Sequence, residues 1–178
     1  VDLRTAPADV TIYGADPADT LGNALAVGDF NGDGLKDLFM GARFADGANN
    51  LKPVSGEVYV LFGRTAWPAT IDLKTADASR TAADVTIFGP DDLDQFGRTI
   101  AVGDFDNDGF ADLLSGATGG DGKNNQCPAC GDAYVLRGRS APAATYVLSQ
   151  NHVGTTSLFG PSQDSFFGFA VSALDFDG

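Results

Sequence analysis

The sequence predicts an all-β protein assembled from β-propeller blades, each of four short antiparallel strands. Three observations carry that prediction. The composition favours turns over helices: 23 of the 24 acidic residues are Asp, Glu57 is the sole Glu, and 23 residues are Gly. Asp and Gly form helices poorly and turns well. The chain repeats itself: 8–66 lies over 83–141 without a gap at an offset of 75, with 32 of 59 positions identical. Within each repeat the apolar runs are short, β-branched or aromatic, and bounded by Gly, Asp or Pro.

The same arithmetic sets limits. A net charge of -13 over 178 residues argues against nucleic acid and anionic membrane surfaces as partners. No run of about 18 apolar residues exists, so no helix-type membrane span is expected. An apolar content of 43% excludes a disordered acidic tail. No secretory leader is visible at Val1, so the chain reads as processed or cut.

Taken in order, 1–14 belongs to the end of a preceding blade, because VDLRTAP at 1–7 resembles IDLKTAD at 71–77. The first full blade, 20–89, places strands at 24–27 (ALAV), 38–40 (LFM), 58–62 (VYVLF) and 85–88 (VTIF). The connection 64–83 is the least regular and has room for one helical turn. The second blade, 95–160, repeats the pattern: AVGDFNGDG at 26–34 becomes AVGDFDNDG at 101–109, and YVLFGR at 59–64 becomes YVLRGR at 134–139. A further blade opens at 166–178. Blade faces must stack on neighbours, and a ring needs ~4–8 blades. Two units and two fragments do not close one, so the remaining blades come from a longer protein or from neighbouring subunits.

Between the first and second strands of each unit lies an acidic loop. Oxygen-bearing side chains stand at loop positions 1, 3, 5 and 9: Asp29, Asn31, Asp33 and Asp37, then Asp104, Asp106, Asp108 and Asp112. Position 7, Leu35 or Phe110, can offer its backbone carbonyl. Gly34 and Gly109 at position 6 permit the turn that returns the ninth residue. Ca²⁺ takes 6–8 oxygen ligands, which alternate residues of a tight loop supply. The bland reading of one such loop is a polar turn. Two in register, with a third opening at Asp175 and Asp177, point to a cation. An EF-hand is excluded, because Met40 or Ser115 occupies position 12 and strands flank the loop. By charge count the second loop binds its ion more tightly.

These motifs resemble the FG-GAP repeats of the integrin α-subunit propeller and its bacterial relatives. Phe96-Gly97 leads through the loop at Asp104 to Gly116-Ala117-Thr118; Leu21-Gly22 leads through the loop at Asp29 to Gly41-Ala42-Arg43; Phe167-Gly168 begins a third. Leu21 departs from Phe, and Arg43 and Thr118 depart from Pro. The resemblance implies a seven-bladed, usually extracellular propeller with Ca²⁺ in its hairpin loops. It carries the metal positions onto Asp29, Asn31, Asp33, Leu35 (carbonyl) and Asp37, and onto Asp104, Asp106, Asp108, Phe110 (carbonyl) and Asp112. It also implies a protein or surface ligand on the face opposite those loops.

That face should carry the connections 14–21, 43–55, 89–96 and 118–130. The two longer ones share Asp-Gly, Asn-Asn and Pro at matched places, a pattern expected to make turns. Cys127 and Cys130 end the second, where the first unit has Lys52 and Ser55. A local disulfide in an oxidising compartment is favoured. A redox CxxC lacks its βαβ context, a zinc half-site lacks a second ligand pair, and c-haem lacks a following His. His152 reads as an exposed loop residue. No HExxH, GxSxG or P-loop occurs, so no enzyme is expected.

The resulting expectation is a calcium-stabilised extracellular, cell-surface or periplasmic propeller segment acting as a binding or adhesion module. An architectural subunit of a surface assembly, or an accessory propeller of a larger secreted enzyme, are the alternatives.

Overall fold

The computed structural model describes residues 8–74, 82–148 and 155–173. Eleven strands run in chain order: β1 Thr11–Tyr13, β2 Ala24–Gly28, β3 Asp37–Ala42, β4 Glu57–Leu61, β5 Thr70–Asp72, β6 Val85–Phe88, β7 Phe96–Gly103, β8 Asp112–Ala117, β9 Asp132–Leu136, β10 Thr145–Val147 and β11 Thr155–Phe159. The four strands expected in each unit are all present. In the first unit β2, β3, β4 and β6 pair antiparallel in sequence order. In the second, β7, β8, β9 and β11 do the same.

The described part of the connection 64–83 holds strand β5 and no helical turn; 75–81 lie outside the described residues. The cause is alternation: Ile71 and Leu73 bury their side chains while Thr70 and Asp72 face out, a period of two rather than 3.6. β5 lies parallel to β1, and its counterpart β10 lies parallel to β6. Each unit thus extends the outer edge of the sheet before it.

The middle strands read as continuous apolar runs because both faces of a blade are covered. Phe39, Val58 and Val60 turn one way, into a cluster with Phe96, Leu113, Tyr134 and Leu136 of the second unit. Met40, Tyr59 and Leu61 turn the other way, onto Ile12, Leu21, Ile71 and Leu73. The larger of these cores lies between the two blades, so stacking is what folds them.

The blades approach most closely at glycine. A Cβ on Gly41 would stand 2.0 Å from the Gly97 carbonyl oxygen, and one on Gly116 would stand 2.0 Å from that of Gly168. Phe96-Gly97 and Phe167-Gly168 therefore seat backbone-to-backbone on Gly41-Ala42 and Gly116-Ala117 of the unit before. Asn23 fastens the contact, its Nδ2 donating to the carbonyls of Gly97 at 3.1 Å and Arg98 at 2.8 Å. Among the described residues no helix is long and apolar enough to cross a membrane.

Candidate metal centres

Adjacent strands alternate in direction, so 29–37 and 104–112 emerge at one end of the blades and 43–55 and 118–130 at the other. The first Asp of each hairpin loop shapes it by collecting backbone N–H groups. Asp29 Oδ1 accepts from Gly32 (2.7 Å) and Asp33 (3.1 Å), and its Oδ2 accepts from Gly34 (2.9 Å). Asp104 Oδ1 accepts from Asp108 (3.1 Å), and its Oδ2 accepts from Gly109 (2.9 Å). Gly34 and Gly109 have φ of +86° and +92°, which glycine adopts without strain.

Asp104, Asp106 and Asp108 each bring one carboxylate oxygen within 4.8 Å of the others, and all three are exposed. Asp29, Asn31 and Asp33 hold the same places in the first loop. There Asn31 Oδ1 accepts from the Asp33 amide (3.0 Å), and its Nδ2 donates to Asp33 Oδ2 (3.1 Å). The amides of Leu35 and Phe110 donate to Asp33 Oδ1 (2.8 Å) and Asp108 Oδ1 (3.0 Å). An all-oxygen donor set on a glycine-turned loop fits a hard cation such as Ca²⁺.

The ninth residues are placed differently. Asp37 and Asp112 are fully buried and lie outside the exposed trio. Asp37 accepts from Phe30 and Gly63, both at 2.8 Å. Asp112 accepts from Phe105 and Gly138, both at 2.9 Å. Each ties its loop to the end of the unit's third strand. Burial raises both carboxyl pKa values, and those amide bonds oppose the shift. Asp175, Asp177 and His152 lie outside the described residues.

The loops are also joined across the blade interface. The Ala111 amide donates to the Asp29 carbonyl at 2.8 Å, and the Arg139 amide donates to the Phe30 carbonyl at 2.9 Å. The Phe110 ring covers Gly32, where a Cβ would come within 2.4 Å of it. Phe30 sits fully buried, edge-on to Phe39.

One participant is absent from the sequence-based set. Arg137 Nη1 lies 3.1 Å from Asp106 Oδ2. The aligned residue of the first unit is Phe62, so this cation belongs to the second loop alone. It offsets the extra carboxylate on which the ranking of the two loops rests.

The other end holds acids of another kind. The repeated Asp-Gly and Asn-Asn pairs do make turns: 3₁₀ turns span Ala48–Asn50 and Lys123–Asn125, with Asn49 and Asn124 at φ of 60° and 58°. Asp46 and Asp121 staple these loops, accepting from Val54 (3.0 Å) and Ala129 (3.1 Å). Cys127 and Cys130 form a disulfide with Cα atoms 5.6 Å apart.

Beneath the loops lie Asp19 and Glu57 in one unit, and Asp94 and Asp132 in the other, all buried. The Tyr59 hydroxyl donates to Glu57 Oε2, and the Tyr134 hydroxyl donates to Asp132 Oδ2 at 3.1 Å. Burial pushes Glu57 up to about 7, with Asp19 adding to the shift. Burial pushes Asp94 to about 8, assisted by Asp91, Asp132 and Asp121. Asp19 and Asp132 rise to about 6, again through burial first. The acid-x-Tyr spacing at 57–59 and 132–134, which puts both side chains on one strand face, is the signal that could have exposed this pairing.

Two stacked four-stranded antiparallel sheets, each with an aspartate loop in its first hairpin, define a β-propeller segment. A profile of the family described as FG-GAP repeat matches residues 21–61 and 96–126. The chain is an FG-GAP repeat protein of the integrin α-like kind. It is 32% identical over 174 residues to integrin alpha pat-2 of Caenorhabditis briggsae, covering 88% of this chain and 12% of that protein. It is 34% identical over 99 residues to integrin alpha-3 of Cricetulus griseus, covering 54% of this chain and 8% of that protein. Integrin alpha-7 of Homo sapiens is 29% identical over 177 residues, covering 96% of this chain and 12% of that protein. The chain thus spans about one eighth or less of the length of these relatives.

Proposed function

We propose that this chain is part of a calcium-stabilised extracellular β-propeller that serves as a binding or adhesion module. The observation that carries the reading is the convergent, exposed trio Asp104, Asp106 and Asp108, on a loop type that occurs twice and is joined across the blade interface. Ca²⁺ supplies positive charge where like charges otherwise repel. One ion is held by Asp29, Asn31, Asp33, the Leu35 carbonyl and Asp37. The other is held by Asp104, Asp106, Asp108, the Phe110 carbonyl and Asp112. Asp175 and Asp177 begin a third set. Ion binding at Asp29 then firms the carbonyls that the second blade grips, so the ions hold blades together.

The integrin alpha relatives support adhesion as the role, with a protein or surface ligand as partner. Their similarity and the Cys127–Cys130 disulfide support a place outside the cytosol: extracellular, at the cell surface or periplasmic. The units 20–89 and 95–160 are two blades of a seven-bladed ring, flanked by parts of two more at 1–14 and 166–178. The end formed by 43–55 and 118–130 faces the ligand, because loops on a rigid scaffold carry binding.

Thermal unfolding with Ca²⁺ and with chelator, together with ion stoichiometry, tests this. Two ions per chain from the two complete loops and a clear rise in Tm are expected; absence of both removes calcium from the proposal. The architectural-subunit reading has one observation in its favour: Leu25 and Val27 of β2 lie exposed. Mass in solution separates the two, since an assembly subunit should not remain monomeric.

A further inference from the structure

The two seams at the long-loop end are fastened by different chemistry. At the first, the loop 43–55 meets the start of the second unit. The carbonyls of Pro53, Val54 and Ser55 accept from the amides of Leu93 (2.9 Å), Gln95 (3.0 Å) and Phe96 (2.9 Å). Lys52 adds an ionic tie: its Nζ donates to the Pro90 carbonyl and lies 3.5 Å from Asp91 Oδ1.

At the second seam, the loop 118–130 meets the start of the next unit. The Ala129 carbonyl accepts from the Phe166 amide (3.4 Å). The Cys130 carbonyl accepts from both the Phe167 amide (2.8 Å) and the Ser165 hydroxyl (2.7 Å). The ionic tie of the first seam cannot form here. Cys127 stands where the first unit has Lys52, and Ser162 stands where the second unit has Asp91. Both partners of the ion pair are replaced together. The residue whose carbonyl seats the next unit, Cys130 in the place of Ser55, is bonded to Cys127 instead.

This disulfide is placed to act locally. It links residues three apart, and so short a closed loop takes little entropy from the unfolded chain. Its hold falls on the loop and the seam rather than on the whole fold. The two sulfurs also differ in access, because Cys130 is fully buried and Cys127 is half-buried. An incoming thiolate meets Cys127 first. Beneath the loop lie the buried Asp94 and Asp132, with Asp91 and Asp121 near enough to disfavour their charged forms. Water admitted by an opened loop ionises these acids, and their repulsion opposes reclosure.

We infer that the Cys127–Cys130 disulfide is a redox-controlled latch, which seats the unit opening at Phe167-Gly168 while oxidised and releases it when a dithiol reduces the bond. One thiolate of the dithiol attacks Cys127 Sγ, and Cys130 leaves and takes up a proton. The second thiol of the dithiol then displaces Cys127. The dithiol ends as a disulfide, and two electrons and two protons have passed to the cysteines. The pair is the target of exchange and not its catalyst. The inference is independent of ion binding.

The test compares the two seams within the full chain. Amide hydrogen exchange is read at Phe166 and Phe167 for the second seam and at Gln95 and Phe96 for the first, before and after dithiothreitol. Alkylation counts the opened thiols. Both cysteines should open while the chain stays folded. Exchange at Phe166 and Phe167 should then quicken about tenfold or more, with Gln95 and Phe96 unchanged. Cys127→Ser with Cys130→Ser should exchange at the reduced rate. Cys127→Lys, Cys130→Ser and Ser162→Asp together rebuild the ionic tie of the first seam, and should return Phe166 and Phe167 toward the oxidised rate without a disulfide. Unchanged exchange at Phe166 and Phe167 after reduction overturns the inference. So does equal quickening at both seams, thiols that open only when the chain unfolds, or a rebuilt tie that exchanges as fast as the double serine variant.

Discussion

At the hairpin end of the blades Asp104, Asp106 and Asp108 stand exposed around a common point. At the long-loop end Asp94 and Asp132 are 3% and 1% exposed, beneath a disulfide-closed loop. The residue type is the same and the electrostatic solution is not. Water screens the first group, and the loop geometry leaves its carboxylates converging. The second group is stripped of water, so its charged form is disfavoured and it retains protons well above the usual carboxylate range. Aspartate abundance alone therefore does not single out a candidate cation site; exposure and convergence do.

The largest effect that sharpens this contrast is calcium itself. At an ion concentration about a thousand times Kd, each occupied loop stabilises by about 4 kcal/mol. Two loops should shift the urea midpoint far enough to be unmistakable, and chelator should reverse it. Identical midpoints with calcium and with chelator would break the comparison at its root.

Next comes pH, measured in chelator so that calcium does not mask the response of the buried acids. Glu57 has a folded pKa of about 7 against an ordinary value of 4.5. Between those values the folded state binds the extra proton, so stability falls as pH rises. The shift corresponds to about 3 kcal/mol for Glu57 alone, fully present below pH 4.5 and lost above 7. Asp94 extends the decline toward pH 8. Chemical unfolding at pH 5, 7 and 9 should show the loss, and Glu57→Gln with Asp94→Asn should shrink it, leaving the smaller part due to Asp19 and Asp132. A stability that climbs over this range would refute the buried-acid account.

A smaller effect separates two residues of one loop. Asp112→Ala leaves the amides of Phe105 and Gly138 without their acceptor and should cost about 2–3 kcal/mol even in chelator. Asp106→Ala removes an exposed group and should cost almost nothing in chelator, while weakening the response to calcium. If both variants behave alike in chelator, the ninth position is no structural staple.

Much of this was legible in the sequence, for physical reasons that differ by element. β3 and β4 announce themselves because both blade faces are covered, which demands unbroken apolar runs such as Val58 to Leu61. The acidic loops are legible as hairpin turns, because Asp at the first place and Gly at the sixth gather the loop amides and permit the tight return. β5 and β10 are not, because a three-residue strand is too short to stand out from a loop in sequence and its partner lies in another unit. The buried acids are hidden for a similar reason. Asp94 reads as one more loop residue until the fold places Asp91, Asp121 and Asp132 around it. Arg137 is hidden because its place in the first unit holds Phe62, so the repeat gives no warning of an ion pair.

That ion pair supports the finest prediction. The second loop has four carboxylates against three in the first, which alone would make it the tighter site. Arg137 lies against Asp106 and must yield before that carboxylate turns fully to an ion. The pair is more than half exposed on the Arg side, so its worth is at most about 1 kcal/mol. Arg137→Phe, which installs the first unit's residue, should therefore tighten calcium binding at the second loop by no more than about fivefold. Calorimetry in a background where Asp29→Ala and Asp33→Ala silence the first loop isolates the effect. Asp106→Asn in the same background should weaken binding and make Arg137→Phe inconsequential, because the carboxylate that Arg137 occupies is gone. If Arg137→Phe alters affinity equally with and without Asp106, the arginine acts through the general field of the loop, and carboxylate count alone ranks the two sites.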